Sequence, residues 1–456
     1  MAWSAYQEAV FEFARSSDGN AAINAVAGSG KTTTGVELCK LFDLYYGRFL
    51  AFNKSIADTL RARAPRNFEC LTYNGFGYRL LPTCVLSMTK DRDYTKQFTR
   101  NPLWISTIER MVSLFKNMAL MSVEEAMLRY DEIINFHDIE VPPGEGWYDL
   151  LFKVFKWSME TTNVISFDDQ KYQPVRLGLA GSCSKCDVLI VDEFQDTCDI
   201  ESRLILGCAE RVFVFGDPDQ CIYSFKGTTP NAMSVFGTAF KAVELPLSIC
   251  YRCPTSVVAE AQIYVPRIEA APGAAVGCVD KLRSAEFYRR VSTGDMVLGR
   301  VTVDLVASCL RCIREGKPAC VVGRAFGDML LALYEKCPTL DALSTYFSEA
   351  ASRLDPDSNR LQGLEDRVET LKVLMESGDV RERIRVLFDE SAEKITHMTI
   401  HKAKGLETTG NVYLLNPQKI PHKRARKEHQ LQEERRLMYV AITRATKGLY
   451  YVDLDH

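Results

Sequence analysis

The sequence predicts an α/β fold of two parallel-sheet cores, each interrupted by a helical insertion. Three observations carry that prediction. A glycine loop, Ala25-Val-Ala-Gly-Ser-Gly-Lys-Thr32, lies between a short apolar run at 21–26 and a helix opening at Lys31. Two apolar runs end in acid: Cys186-Asp-Val-Leu-Ile-Val-Asp192 and Arg211-Val-Phe-Val-Phe-Gly-Asp217. Strand–helix alternation also resumes after each of two helical stretches, the pattern of a parallel sheet covered by helices. At 456 residues the chain is too long for one core.

The elements follow in order. Residues 6–15 read as a helix, 21–26 as a buried strand and 31–44 as the helix after the glycine loop. Residues 49–52 and 68–72 are strands, with a helix starting at Lys54 between them. The rhythm breaks at 83–160, where Trp104-Ile-Ser-Thr-Ile-Glu-Arg-Met-Val-Ser-Leu-Phe115 has helical spacing and Pro142-Pro-Gly-Glu-Gly146 marks a loop. Alternation returns through 186–192 and 211–217. A second core begins near 246, with strands at 296–298, 319–322, 395–400 and 411–415. Residues 325–392 are again helical and polar. The expected division is a first core of 1–82 and 161–245 around an insertion at 83–160. The second core is 246–324 and 393–456 around an insertion at 325–392.

Composition sets bounds. Hydrophobic residues make up 46% and charged residues 25%, as in an ordinary soluble protein, and no apolar run approaches the ~18–20 residues that span a bilayer. The start of the chain has neither a basic stretch nor an apolar core, so no signal peptide is expected. The net charge of −3 announces no polyanionic partner, so any such site must be a local groove. Among 15 cysteines, Cys183/Cys186, Cys250/Cys253 and Cys309/Cys312 have CxxC spacing, and two such pairs could hold zinc. Yet Cys309 and Cys312 fall in an amphipathic helix, where that spacing marks one face, and Cys250 and Cys253 flank Tyr251-Arg252. Buried reduced thiols in a cytosol-like compartment are the expectation.

A tight glycine loop between strand and helix aims backbone N–H groups at phosphates. Lys31 would reach the β- and γ-phosphates and the Thr32 hydroxyl would hold magnesium; Ala25 stands where the strict pattern has glycine. Asp192 and Glu193 fall at the C-terminal end of a strand, where parallel sheets bind ligands. Beside a phosphate loop, the first acid holds magnesium and the second deprotonates the attacking water. The bland alternative is a pair of acids starting a helix. Gln220, ending Gly216-Asp-Pro-Asp-Gln220, could sense the γ-phosphate. Tyr223 and Phe225, next to Lys226, could stack on bases; alone they would read as core aromatics, and their attachment to Gln220 favours stacking.

These residues resemble the motifs of the UvrD/Rep-type helicases of superfamily 1, in order and across both cores. The resemblance implies two RecA-like domains, ATP and Mg2+ as cofactors, and single-stranded DNA with its duplex junctions as partner. Gln7 resembles the glutamine that reads adenine. Ala27, Gly28, Ser29, Gly30, Lys31, Thr32 and Thr33 resemble the phosphate loop. Phe52-Asn53-Lys54 and Thr72-Tyr-Asn74-Gly-Phe-Gly77 resemble early DNA-contacting motifs. Val191-Asp-Glu-Phe-Gln-Asp-Thr197 is close to the family's acidic motif. Tyr251 matches the adenine-stacking tyrosine and Arg252 an arginine reaching the γ-phosphate. His401, Lys404 and Glu407 match the motif joining DNA to the ribose, and Arg444 matches the arginine finger. With Arg252 and Arg444 in the second core and the phosphate loop in the first, ATP would be gripped from both sides. A finger is worth about 10³–10⁵ in rate.

The family usually has histidine at Asn74, tryptophan at Phe225 and arginine at Lys226, and a longer second insertion. The resemblance therefore implies 3′–5′ translocation more firmly than strong unwinding, with partners meeting the helical insertions. The alternatives are an ATP-gated DNA-binding subunit of a repair or defence complex, and an RNA-directed motor. Phe167-Asp-Asp-Gln-Lys171 reads as structural rather than nucleolytic, and the short stretch after Arg444 leaves no room for a nuclease domain. Lys423-Arg-Ala-Arg-Lys427 reads as a solvated basic loop ahead of an import signal or a DNA contact. The expected location is cytoplasmic, nucleoid-associated in a bacterial or viral setting and nuclear in a eukaryote.

Overall fold

The computed structural model describes residues 3–454 except 138, 140, 143, 182–184, 223–226, 230, 353, 355–358 and 391–392. Contacts divide the chain into two units, residues 1–26 with 30–248 and residues 27–29 with 249–456. Each carries a six-stranded sheet in which every pair runs parallel.

In the first unit the strands are β1 (Ala21–Ala25), β2 (Gly47–Ala51), β3 (Phe68–Thr72), β4 (Cys186–Val191), β5 (Ala209–Gly216) and β6 (Val243–Leu247), in spatial order β3-β2-β4-β5-β1-β6. Side chains alternate between two dry faces. Phe213 and Phe215 pack with Ile23, Phe49 and Ile190 on one. Val212 and Val214 pack with Leu50, Leu71 and Leu189 on the other. Both faces are apolar because helices cover both. The helix after the glycine loop, Lys31–Leu41, stops short of the predicted 44. Phe42 turns into the core, the Tyr45 N–H closes a turn onto its carbonyl at 3.1 Å, and Leu44 stands in solvent. Strand β6 escaped the sequence reading because it is an exposed edge with Pro246 inside it, a position that tolerates a missing N–H.

The first insertion contains helices Lys90–Thr95, Pro102–Asn117, Val123–Leu128, Tyr130–Phe136 and Trp147–Glu160. Asn101 starts the second of these by accepting from the Leu103 N–H at 2.9 Å, with Pro102 in the first turn. A two-residue parallel ladder, Val85–Leu86 with Val164–Ile165, closes its base. It has its own apolar cluster, including Ile108, Met111, Phe115, Leu151 and Phe155. Beside it lies a dry ion cluster. Lys90 Nζ donates to Asp169 Oδ2 at 2.7 Å and to the carbonyls of Ser158 and Thr161. Lys116 Nζ is 3.0 Å from both Asp169 and Asp91. Burial opposes these charges, but the two lysines hold Asp169 ionised and the two aspartates keep Lys116 charged. The acidic stretch at 167–171 is thus structural: Lys171 in turn pairs with Glu201 at 2.7 Å.

In the second unit the strands are β7 (Cys278–Arg283), β8 (Met296–Gly299), β9 (Ala319–Val321), β10 (Ile395–Thr399), β11 (Val412–Leu415) and β12 (Gly448–Asp453), in order β7-β12-β11-β8-β10-β9. The sequence reading missed β7 and β12; β7 is an edge strand with mostly exposed side chains. The helices Arg324–Lys336, Leu340–Ala351, Asn359–Glu376 and Val380–Leu387 form the second insertion. Leu364, Val368, Leu371 and Leu387 join the cluster of Val297, Leu305 and Cys309 under the sheet. Glu365 holds Arg424 of the basic loop, and the Asp366 carboxylate accepts from the Thr302 and Val303 N–H groups. Cys309 and Cys312 are buried on the helix Thr302–Arg314. Cys250 and Cys253 are buried too, the Cys253 N–H donating to Cys250 Sγ at 3.4 Å. Cys183 lies outside the described residues. Among the described residues no three His, Cys, Asp or Glu side chains converge as a metal cluster. No described helix is long and apolar enough to cross a membrane.

Candidate nucleotide and DNA site

The glycine loop leaves β1, which lies beside β5 in the sheet. Gly28 and Gly30 have φ of 67° and 81°, a left-handed backbone that side chains disfavour, and Gly30 caps the helix Lys31–Leu41. Ser29 Oγ is buried and has no partner. Lys31 Nζ lies 3.5 Å from Glu193 Oε1, and Thr32 Oγ1 donates to Asp192 Oδ2 at 2.8 Å. Gln7 is buried beside this helix start, its Nε2 donating to Thr34 Oγ1 at 3.0 Å while its Oε1 accepts from Ser4. Thr33 Oγ1 accepts from Arg63 at 3.5 Å.

The acids sit where β4 ends. Asp192 is buried, and burial followed by the neighbouring Glu193 pushes its carboxyl up to about 6, against the pull of Lys31 and Thr32. Such a carboxylate lacks positive charge, and a hydroxyl paired with it gives two oxygen donors of the kind magnesium takes. The left-handed Gly30 cap and this donor pair fit a magnesium triphosphate. Glu193 adopts φ 54°, rare for a residue with a side chain. That turn leaves its carboxylate beside Lys31 and brings Gln195 under it. Gln195 Nε2 donates to Glu193 Oε2 at 2.6 Å, and Gln195 Oε1 accepts from the Asp217 N–H at 2.9 Å. Asp217 Oδ2 then accepts from Gln220 Nε2 at 2.6 Å. One polar chain therefore joins Lys31, Glu193, Gln195, Asp217 and Gln220. Sequence reading marked its ends and passed over Gln195 and Asp217, although both stand inside the quoted motifs.

In the second unit, Arg252 pairs with the exposed Glu407 through Nε at 2.9 Å, and its Nη1 donates to the Thr443 carbonyl at 3.4 Å. Arg444 is fully buried, with Nε on the Val440 carbonyl at 3.1 Å and Nη1 on the Leu406 carbonyl at 3.2 Å. These three residues are thus gathered around one helix end. Tyr251 is half exposed.

The residues expected to meet DNA have local duties as well. Asn53 caps the helix Lys54–Arg63 and Thr72 caps Tyr73–Leu80, each through a backbone N–H. Asn74 Nδ2 donates to the Phe167 carbonyl at 2.7 Å. Phe52 is exposed. Tyr73 reaches from this strand end to Thr197 of the acidic motif, with the hydroxyls 3.4 Å apart. His401 is partly buried, and burial together with Arg300 holds its imidazole neutral; Lys404 lies three residues on, after a short helix. Tyr223, Phe225 and Lys226 lie outside the described residues.

Comparison with known proteins decides the family. Residues 84–241 match the UvrD/REP helicase N-terminal domain and residues 333–453 the UvrD-like helicase C-terminal domain. The ATP-dependent DNA helicase Rep of Salmonella typhimurium is 37% identical over 273 residues, covering 53% of this chain and 40% of that protein. The chain belongs to the UvrD/Rep-type helicases of superfamily 1. A short segment is 49% identical over 61 residues to the ATP-dependent DNA helicase PcrA of Staphylococcus aureus, 12% of this chain and 8% of that protein. The F-box DNA helicase protein 1 of Schizosaccharomyces pombe is 22% identical across 94% of this chain and 55% of its own length. The chain spans about half or less of the length of these relatives. The glycine loop lies ahead of both matched domain segments.

Proposed function

We propose that this chain is an ATP- and magnesium-dependent motor that moves 3′ to 5′ along single-stranded DNA and opens duplex at a junction. One observation carries the reading: the Lys31–Glu193 and Thr32–Asp192 pairs at the end of β4. Lys31 would leave Glu193 for the phosphates when nucleotide enters, and the released carboxylate would take a proton from the attacking water. Thr32 and Asp192 would hold magnesium, which neutralises charge on the β- and γ-phosphate oxygens when bound. Gln7 and Tyr251 would contact the adenine, Glu407 the ribose, and Arg252 and Arg444 the γ-phosphate. Phe52, Asn53, Thr72, Asn74, Tyr223, Phe225, His401 and Lys404 would contact the strand. The family membership and the named relatives support these roles.

The test is ATP turnover with and without single-stranded DNA, for the wild type and Glu193→Gln. DNA should stimulate the wild type, and the variant should lose about 10²–10⁴ in kcat while still binding ATP. Duplexes with a 3′ or a 5′ tail then read direction; only the 3′ tail should support displacement. ATP binding without stimulation would reject the motor and favour the ATP-gated binding subunit.

A further inference from the structure

Gln195 is 2% exposed and every polar atom of its amide is used. Its Nε2 reaches Glu193 Oε2 at 2.6 Å and Asp196 Oδ2 at 3.3 Å, and its Oε1 takes the Asp217 N–H at 2.9 Å. The approach is close enough that a Cβ on Gly216 would lie 2.9 Å from Gln195 Oε1 and 3.1 Å from its backbone nitrogen. Asp217 is itself fully buried, with Oδ1 on the Asp219 N–H and Oδ2 on Gln220. An amide is suited to this place: it donates to a carboxylate on one side and accepts from a backbone N–H on the other. Lysine, glutamate or an apolar side chain could do only one or neither.

We propose that Gln195 is a positioning residue that aims the Glu193 carboxylate and couples it to the Asp217–Gln220 turn at the end of β5. This rests on the reading of Glu193 as the group that activates water. Glu193 stands on a left-handed turn with Oε1 facing Lys31 at 3.5 Å, and the Gln195 amide restrains its other carboxylate oxygen. A shift of Asp217 or Gln220 is passed to Glu193 through one rigid amide. Hydrolysis then follows the position of Gln220, while ATP affinity, set by Lys31 and the glycine loop, does not.

Gln195→Met keeps the length of the side chain and removes both hydrogen-bonding functions. Its kcat should fall about 10²-fold, as a misplaced catalytic group does, with KM for ATP within about threefold. Stimulation by oligo-dT should collapse toward unity. The double variant with Gln220→Ala should be no slower than the slower single variant, because both break one chain. A merely structural Gln195 would lower the thermal midpoint and leave kcat, KM and the stimulation ratio of the remaining folded protein unchanged, which overturns the proposal. Multiplying losses in the double variant overturn it as well. If Gln195→Met does not fold, Gln195→Glu tests the same point, since it keeps the acceptor for Asp217 and sets a carboxylate against Glu193. A wild type without turnover would reject the motor reading itself; a working wild type with an unaffected variant would reject only the role of Gln195.

Discussion

The two groups of side chains proposed to meet the nucleotide are prepared in opposite ways. In the first unit, Lys31 pairs with Glu193 and Thr32 with Asp192, and Gln195 and Asp217 link Glu193 to the buried Gln220. In the second, Arg252 is neutralised by an exposed partner, Glu407, while Arg444 is locked onto carbonyls inside the fold. The first arrangement is preorganised and carries an unmet demand for positive charge at Asp192. The second holds positive charge, one guanidinium lightly and one firmly. Burial decides which of these contacts is costly to break, because an exposed pair is worth little, whereas removing one partner of a buried contact leaves the other unsatisfied.

The largest effect that would sharpen this contrast is expected at Arg444. Arg444→Ala should destabilise the protein by about 2–5 kcal/mol, as other large-to-small core changes do, and cut kcat by about 10³-fold or more. Urea melts read with single-turnover hydrolysis separate the two losses. Unchanged stability would break the distinction between the firm and the light arginine.

Asp192→Asn should come next and in the other direction. The folded chain binds the Asp192 proton more tightly than the unfolded chain does. That contribution to stability is complete below pH 3.8 and is lost as pH rises through about 6. At pH 7.5 the ligand-free asparagine variant should therefore be more stable than the wild type, on the order of 1–2 kcal/mol, and should lose turnover. Magnesium with ATP should raise the wild-type melting temperature more at pH 7.5 than at pH 5, and should do so weakly in the variant. Calorimetry across pH measures both.

The smallest effect is expected at the exposed pair. Glu407→Ala should change stability by less than about 1 kcal/mol, against the several expected at Arg444, while altering KM for ATP. A large loss of stability there would show that the pair is structural after all.

Much of this was legible before any coordinates. Central strands announced themselves because both of their faces are dry, so apolar runs such as Val188-Leu-Ile-Val191 have no other use. Two of the four edges, β6 and β7, did not, since they place most side chains in water and read as loops; the edges β3 and β9 were read, and interior β12 was missed, its Tyr450 and Tyr451 being only partly buried. Asp192, Glu193 and Gln220 were singled out because they follow such apolar runs, and Gln195 was passed over because its partners are set by chain reversal at Glu193 rather than by spacing. The caps at Asn53 and Thr72 were hidden behind a functional resemblance, although a helix start after each is written in the local sequence. The acidic stretch at 167–171 could be read as structural, yet its lysine partners, Lys90 and Lys116, come from far along the chain and no local pattern points to them.

That ion cluster has a practical corollary for ionic strength. Mobile salt screens charges that water surrounds, over about 10 Å at 0.1 M, and does not enter a dry interior. Lys90, Lys116 and Asp169 have fully buried side chains, so molar salt should leave the first insertion folded. A salt titration of DNA binding would then report released counterions alone, undistorted by loosening of the protein that does the binding.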